Sequence, residues 1–282
     1  MKKNIFILSL LIISINSSAQ SELEKKYLLT TITNTYGIST LNLLDPYLSP
    51  LVYSGLGIRY DHDAIRFLST ENKRFSLQNN LKFIAGIALN PTYTASITYV
   101  GMNYQLGTNY HFQPIKGLRL RAGGFWDFDL GSKMIARNIN NPVNIDLATN
   151  LNLSGAANYN LPFCKRILGL QLAVQTPILG CMFVPLGGAS YYEMFDLWNL
   201  SNTTHFSSLH NKRGIDATFS VNVPFNNSIL HVGMRYQGLK YKANEMVFER
   251  NELSLLIGSR FDVITFAGRK NKAPKNFIST NE

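Results

Sequence analysis

A histidine and a serine two positions apart, His205 and Ser207, are the residues whose types could do chemistry in this chain, with Glu193 upstream as a conceivable orienting acid. A serine nucleophile needs an adjacent base, and that base needs an orienting group, so the three types suit ester hydrolysis. The spacing is a weak motif. No G-x-S-x-G elbow surrounds it, other serines compete, and His205 and His210 serve equally well as hydrogen-bonding groups within a loop. A lipid or acyl-ester hydrolase using the 205–210 loop is therefore an alternative reading, and a non-catalytic protein is the main one. Glu193 and Asp196 are too few carboxylates for a calcium site, which takes six to eight oxygens. No metal-type spacing occurs, and no cofactor is expected.

A second set of candidates is charged and scattered: Arg59, Asp61, Lys82, Arg119, Arg121, Asp127, Asp129, Arg235, Arg260 and Asp262. These residues share a face only if the chain is a succession of strands, and it reads as one. From Leu147 to Leu161 the odd positions are mostly apolar and the even ones carry amides, a period of two. Leu118 to Leu130 alternates likewise, with Arg119, Arg121, Asp127 and Asp129 on its polar face. About ten such strands are expected, at roughly 26–37, 51–66, 73–89, 93–112, 117–132, 146–161, 165–178, 214–224, 228–241 and 248–266. Their length exceeds the roughly 9–11 residues that a tilted strand needs to cross a bilayer. Sandwich strands are usually 3–10 residues long, so a periplasmic β-sandwich is the lesser reading.

The fold class expected is all-β: a closed antiparallel up-and-down transmembrane barrel of about 10 strands (8–12). Short turns near 69–72, 113–116, 162 and 224–227 fall at one end. Longer connections at 38–50, 133–145 and 179–212 fall at the other, as in outer-membrane barrels. The 179–212 segment is aromatic-rich and is expected to form a folded cap. At ten strands the lumen is narrow, so the ten charges are expected to pair across it and plug it. A narrow solute or ion channel is the alternative. His111 and His231 are expected to face inward in structural roles, and His62 to lie in a strand or its turn.

Composition agrees. Charged residues are 16% and aromatics 12%, against about 25% charged in an average soluble chain. Residues 1–20 read as a secretory signal: Lys2 and Lys3, an apolar run from Ile5 to Ile15, then Ser17-Ser18-Ala19. The barrel is expected over 21–266 and a basic periplasmic tail over 267–282. The net charge of +10 is spread over strands and turns of an exported chain, which argues against nucleic acid. It suits contact with outer-membrane lipid and lipopolysaccharide, beside an unidentified surface ligand. Cys164 and Cys181 flank one strand and are expected to stay unpaired.

Four stretches carry a family resemblance: Gly124 to Gly131, Asn150 to Asn160, Pro177 to Phe195, and His205 to Asn211. On these the chain resembles a domain-of-unknown-function family of exported outer-membrane barrel proteins from anaerobic Gram-negative bacteria. The resemblance implies a barrel in the outer membrane and no activity; the even number of expected strands brings both termini to the periplasm.

Overall fold

A computed structural model describes residues 26–136, 141–163, 166–198, 200–225, 228–263 and 276–280. The expected signal segment 1–20 and Cys164 lie outside the described residues.

The elements run β1 (Lys26–Leu28), β2 (Thr30–Asp45), β3 (Ser49–Phe67), β4 (Phe75–Leu89), β5 (Ser96–Ile115), β6 (Leu118–Ile135), β7 (Val143–Phe163), β8 (Arg166–Phe183), α1 (Tyr191–Phe195), β9 (Thr204–Ser208), β10 (Lys212–Phe225), β11 (Ser228–Ala243), β12 (Met246–Val263) and β13 (Asn276–Ile278). Ten of the strands, β2 to β8 and β10 to β12, pair antiparallel with their neighbours, and β8 against β10 closes the ring. The fold is a closed antiparallel ten-stranded β-barrel. Among the described residues no helix is long and apolar enough to cross a membrane.

Alternation sets the two faces. On β2, Thr31, Thr33, Thr35 and Ser39 point inward and are buried, whereas Tyr36 and Ile38 are exposed on the outer wall. Ile58 on β3 and Leu255 on β12 are exposed likewise, at 69% and 59%. An apolar surface extending around a whole barrel has lipid as its partner. Outward aromatic rings contact one another across this wall, Tyr36 with Tyr60 at 5.1 Å and Tyr104 with Trp126 at 6.3 Å.

The turns divide into two ends. At one, which we call the terminus end, the connections are short, and Gly117 takes the positive φ of 89° that the β5–β6 turn requires. At the other, the cap end, Asn244 and Glu245 both adopt positive φ between β11 and β12, the backbone of a tight two-residue hairpin.

Three expected long connections are shorter than the alternation suggested. The 38–50 connection is strand apart from Pro46-Tyr47-Leu48, because β2 and β3 pair from Thr30 opposite Arg66 to Leu44 opposite Val52. The 133–145 connection shrinks to 136–142. Within 179–212, β8 continues to Phe183 and β9 pairs back onto it, Leu179 opposite Ser208. The cause is a change of the inner face from polar to apolar. Near the cap end Leu41, Leu43, Tyr53, Ala88, Ile97, Tyr99 and Phe248 point inward into an apolar core, while Asn42 faces out. Val52, Leu89 and Met134 keep the outer wall apolar at the same end, so the contrast between the two faces that period-two reading needs is lost there.

β9 and β10 form one interrupted wall strand. Gln175 lies opposite Asp216 and Leu179 opposite Ser208. Four steps on β8 thus face eight on its partner, and the surplus forms a bulge at 209–212. Of the expected basic tail, residues 276–280 are described. β13 pairs parallel with β1, Ile278 and Ser279 are buried, and the Thr280 hydroxyl donates to Thr31 Oγ1 at 2.7 Å.

Candidate functional site: a charged lumen

Inward-facing charges from six strands connect into one chain of alternating sign. Asp129 on β6 meets Arg250 on β12 at 3.3 Å, and Arg250 meets Glu252 at 3.3 Å. Glu252 accepts from Arg59 on β3 at 2.8 Å, and Arg59 donates to Asp61 at 2.8 Å. Asp61 meets Arg235 on β11 at 2.8 Å, and Arg235 holds Asp216 on β10 through Nη2 and, at 2.7 Å, through Nε. Asp216 meets Lys82 on β4 at 3.2 Å. Four carboxylates and four cations balance. Charges removed from water persist only when paired and hydrogen-bonded, and here each has at least one opposite partner. The chain crosses the lumen and is formed by side chains of the wall itself.

A second network lies nearer the cap. Lys133 reaches Asp45 at 3.0 Å and Asp146 at 2.9 Å, and Asn144 donates to Asp45 at 2.7 Å. Tyr191 of α1 donates to Asn144 Oδ1 at 2.8 Å and accepts from the Ile145 N–H at 2.7 Å. Tyr47 donates to the Ala189 carbonyl at 2.8 Å. Burial pushes the Tyr47 hydroxyl up to about 12, with Asp45 and Glu193 adding to the rise. Burial likewise raises Tyr191 well above an ordinary tyrosine. Both tyrosines hold the cap to the barrel as neutral donors.

Of the ten sequence-derived charges, Arg59, Asp61, Lys82, Asp129 and Arg235 belong to the alternating chain. Asp127 instead accepts from three amides, Asn103 at 2.7 Å, Gln105 at 2.9 Å and Asn150 at 2.7 Å. Arg260 donates to Thr33 and Gln171, Asp262 accepts from Thr31 at 2.7 Å, and Arg119 donates to the Thr280 carbonyl at 2.7 Å. Arg121 has a buried Nε without a hydrogen-bond partner. Asp216, Arg250, Glu252, Lys133, Asp45 and Asp146 were missed. Their parity on β10 and β12 marks the first three as inward; Lys133 and Asp146 continue the inward parity of β6 and β7, and Asp45 lies beyond Leu41 and Leu43, where the inner face is apolar.

His205, Ser207 and Glu193 are not brought together. Ser207 is buried, and the His205 Nε2 is buried without a hydrogen-bond partner. Glu193 is spent in the capping box of α1, accepting from the Ser190 N–H at 2.8 Å. A hydroxyl and an imidazole do meet at Ser208 and His210, 2.6 Å apart and exposed, with Asn211 shaping the bulge around them. His62, on the outer wall, bonds Asn34 at 2.7 Å; His111 bonds Ser76 and His231 bonds Asn222, each at 2.7 Å. Cys181 is a free, exposed thiol. Among the described residues no three metal-ligating side chains cluster.

No curated protein matches the chain. Among solved structures, the transport unit of the autotransporter AIDA-I from Escherichia coli is similar at 10% identity and a TM-score of 0.46, covering 86% of this chain and 93% of that one. The translocator domain of the autotransporter NalP from Neisseria meningitidis is similar at 9% identity and a TM-score of 0.42, over 85% and 90%. The outer membrane protease OmpT from Escherichia coli is similar at 7% identity and a TM-score of 0.45, over 84% and 96%. The model of one family, described as "Protein of unknown function (DUF3316)", matches residues 4–270, and the chain belongs to that family.

Proposed function

We propose that this protein is a non-conducting, non-catalytic barrel of the outer membrane whose working surface is its cap. In this reading the cap faces the cell exterior, both terminal segments lie in the periplasm, and the source is an anaerobic Gram-negative bacterium. Lipid and lipopolysaccharide contact the outer wall, and an unidentified surface ligand meets the cap. The alternating chain from Asp129 to Lys82 is the observation that carries it. A lumen crossed by paired, desolvated charges offers no continuous water path for a solute. The cap leaves Tyr192, Leu197 and Trp198 exposed at 63%, 62% and 80%, an apolar surface suited to a partner.

The test of closure is liposome swelling with small sugars: vesicles carrying the protein should swell no faster than empty ones. Swelling above that background would favour the channel reading. Orientation is tested separately by labelling Trp198→Cys, in a Cys164→Ser/Cys181→Ser background, with a membrane-impermeant maleimide. Intact cells should label. Labelling only after permeabilisation would put the cap on the wrong side.

A further inference from the structure

Between the alternating chain and the terminus end, the lumen contains a polar cavity of about 130 Å³. Liquid water occupies about 30 Å³ per molecule, so this is room for several waters or one small oxyanion. The walls are unusual in what they leave unsatisfied. Arg121 Nε, Gln175 Nε2 and the Ser220 hydroxyl are sealed from solvent and have no hydrogen-bond partner, and all three residues line the cavity. Ser220 is fully buried. Buried polar groups are almost always paired, so three orphans from β6, β8 and β10 around one space mark a missing partner. Two of them are obligate donors, and the hydroxyl can donate.

Charge points the same way. Asp61 and Asp216 at the roof are already matched by Arg59, Arg235 and Lys82. Below them the lining cations are Arg121 and Arg260, and the lining carboxylate is Asp63. Asp63 accepts from Gln78 at 2.8 Å, and Asp262 from Thr31. Among the described lining residues below the roof, cations outnumber carboxylates by one. A guanidinium is a planar fork matched to carboxylate and phosphate oxygens.

We propose that this cavity binds a small oxyanion, of the carboxylate or phosphate class, through Arg121, with Gln175 and Ser220 donating to its remaining oxygens. This site is separate from the cap and does not depend on what the cap binds.

The test is calorimetric titration of the folded, detergent-solubilised protein with acetate and with inorganic phosphate, at constant ionic strength set by chloride. Saturable binding of one equivalent is expected, and the tighter of the two anions identifies the oxyanion shape. Arg121→Gln should weaken binding at least tenfold while retaining the heat-dependent gel mobility of a folded barrel; Arg121→Lys should weaken it less. If Arg121→Gln does not fold, Ser220→Ala gives the same test, with a several-fold loss expected. No saturable binding of either anion to the wild type, or unchanged affinity in the folded variants, would overturn the proposal.

Discussion

Arg59 Nη1 donates to Glu252 Oε2 at 2.8 Å across the whole width of β2, which lies between their strands in the sheet. Both side chains are almost completely removed from solvent, at 3% and 1%. This pair joins the Arg250 end of the alternating chain to the Asp61 end. Removing one partner leaves a buried charge facing a neutral group, which costs about 3–5 kcal/mol, whereas replacing both with apolar residues costs much less. Glu252→Gln should therefore lower unfolding free energy in urea by about 3 kcal/mol. The double variant Arg59→Met/Glu252→Leu should be more stable than the sum of the single changes. Additive losses in that cycle would mean that the two residues do not act as a pair.

The lipid wall ends within a single strand. Ile38 on β2 is outward and 64% exposed, and Asn42, one pair of outward positions further toward the cap, is exposed too. If β2 leaves the bilayer between them, arginine at position 38 should cost about 2–4 kcal/mol in lipid vesicles, and at position 42 close to nothing. Unfolding titrations in vesicles read the difference. Equal tolerance at both positions would place Ile38 outside the hydrocarbon.

Cap docking should be lost at alkaline pH. Tyr47 has a folded-state pKa of about 12, against about 10 for an unfolded tyrosine. A raised pKa contributes stability that is complete below pH 10 and is lost as pH rises through 12. Trp198 emission, in a Trp126→Phe background, should report cap release across that window. Tyr47→Phe removes the hydrogen bond to Ala189, costs about 1 kcal/mol, and should move the release toward higher pH, where Tyr191 remains. Release unchanged by the substitution would mean that Tyr47 does not hold the cap.

Much of this was legible in the residues, and the misplaced strand ends have one physical cause. Along strands such as the expected 117–132, observed as Leu118–Ile135, an apolar outer face and a polar inner face produce clean alternation. At the cap end the inner face becomes an apolar core that includes Leu41, Leu43 and Phe248, so the two faces lose their contrast and strand reads as loop. Inward direction was readable from parity. Partnership was not: Asp129 finds Arg250, 121 positions away, through the stagger of the closed barrel, which no local pattern encodes. The descent of residues 276–280 onto Thr31 has no period-two signal at all. His205 and Ser207 are close in sequence, yet the strand that holds them buries Ser207 and the His205 Nε2.

The central claim is that side chains of the wall close the lumen beneath the cap. Planar-bilayer recording of the wild type and of a variant lacking residues 187–200, both first shown by gel mobility to be folded barrels, tests it most directly. No steady current from either protein at any applied voltage is the result predicted, because the ion-paired chain remains when the cap is gone. A steady, ohmic conductance from either one would contradict it.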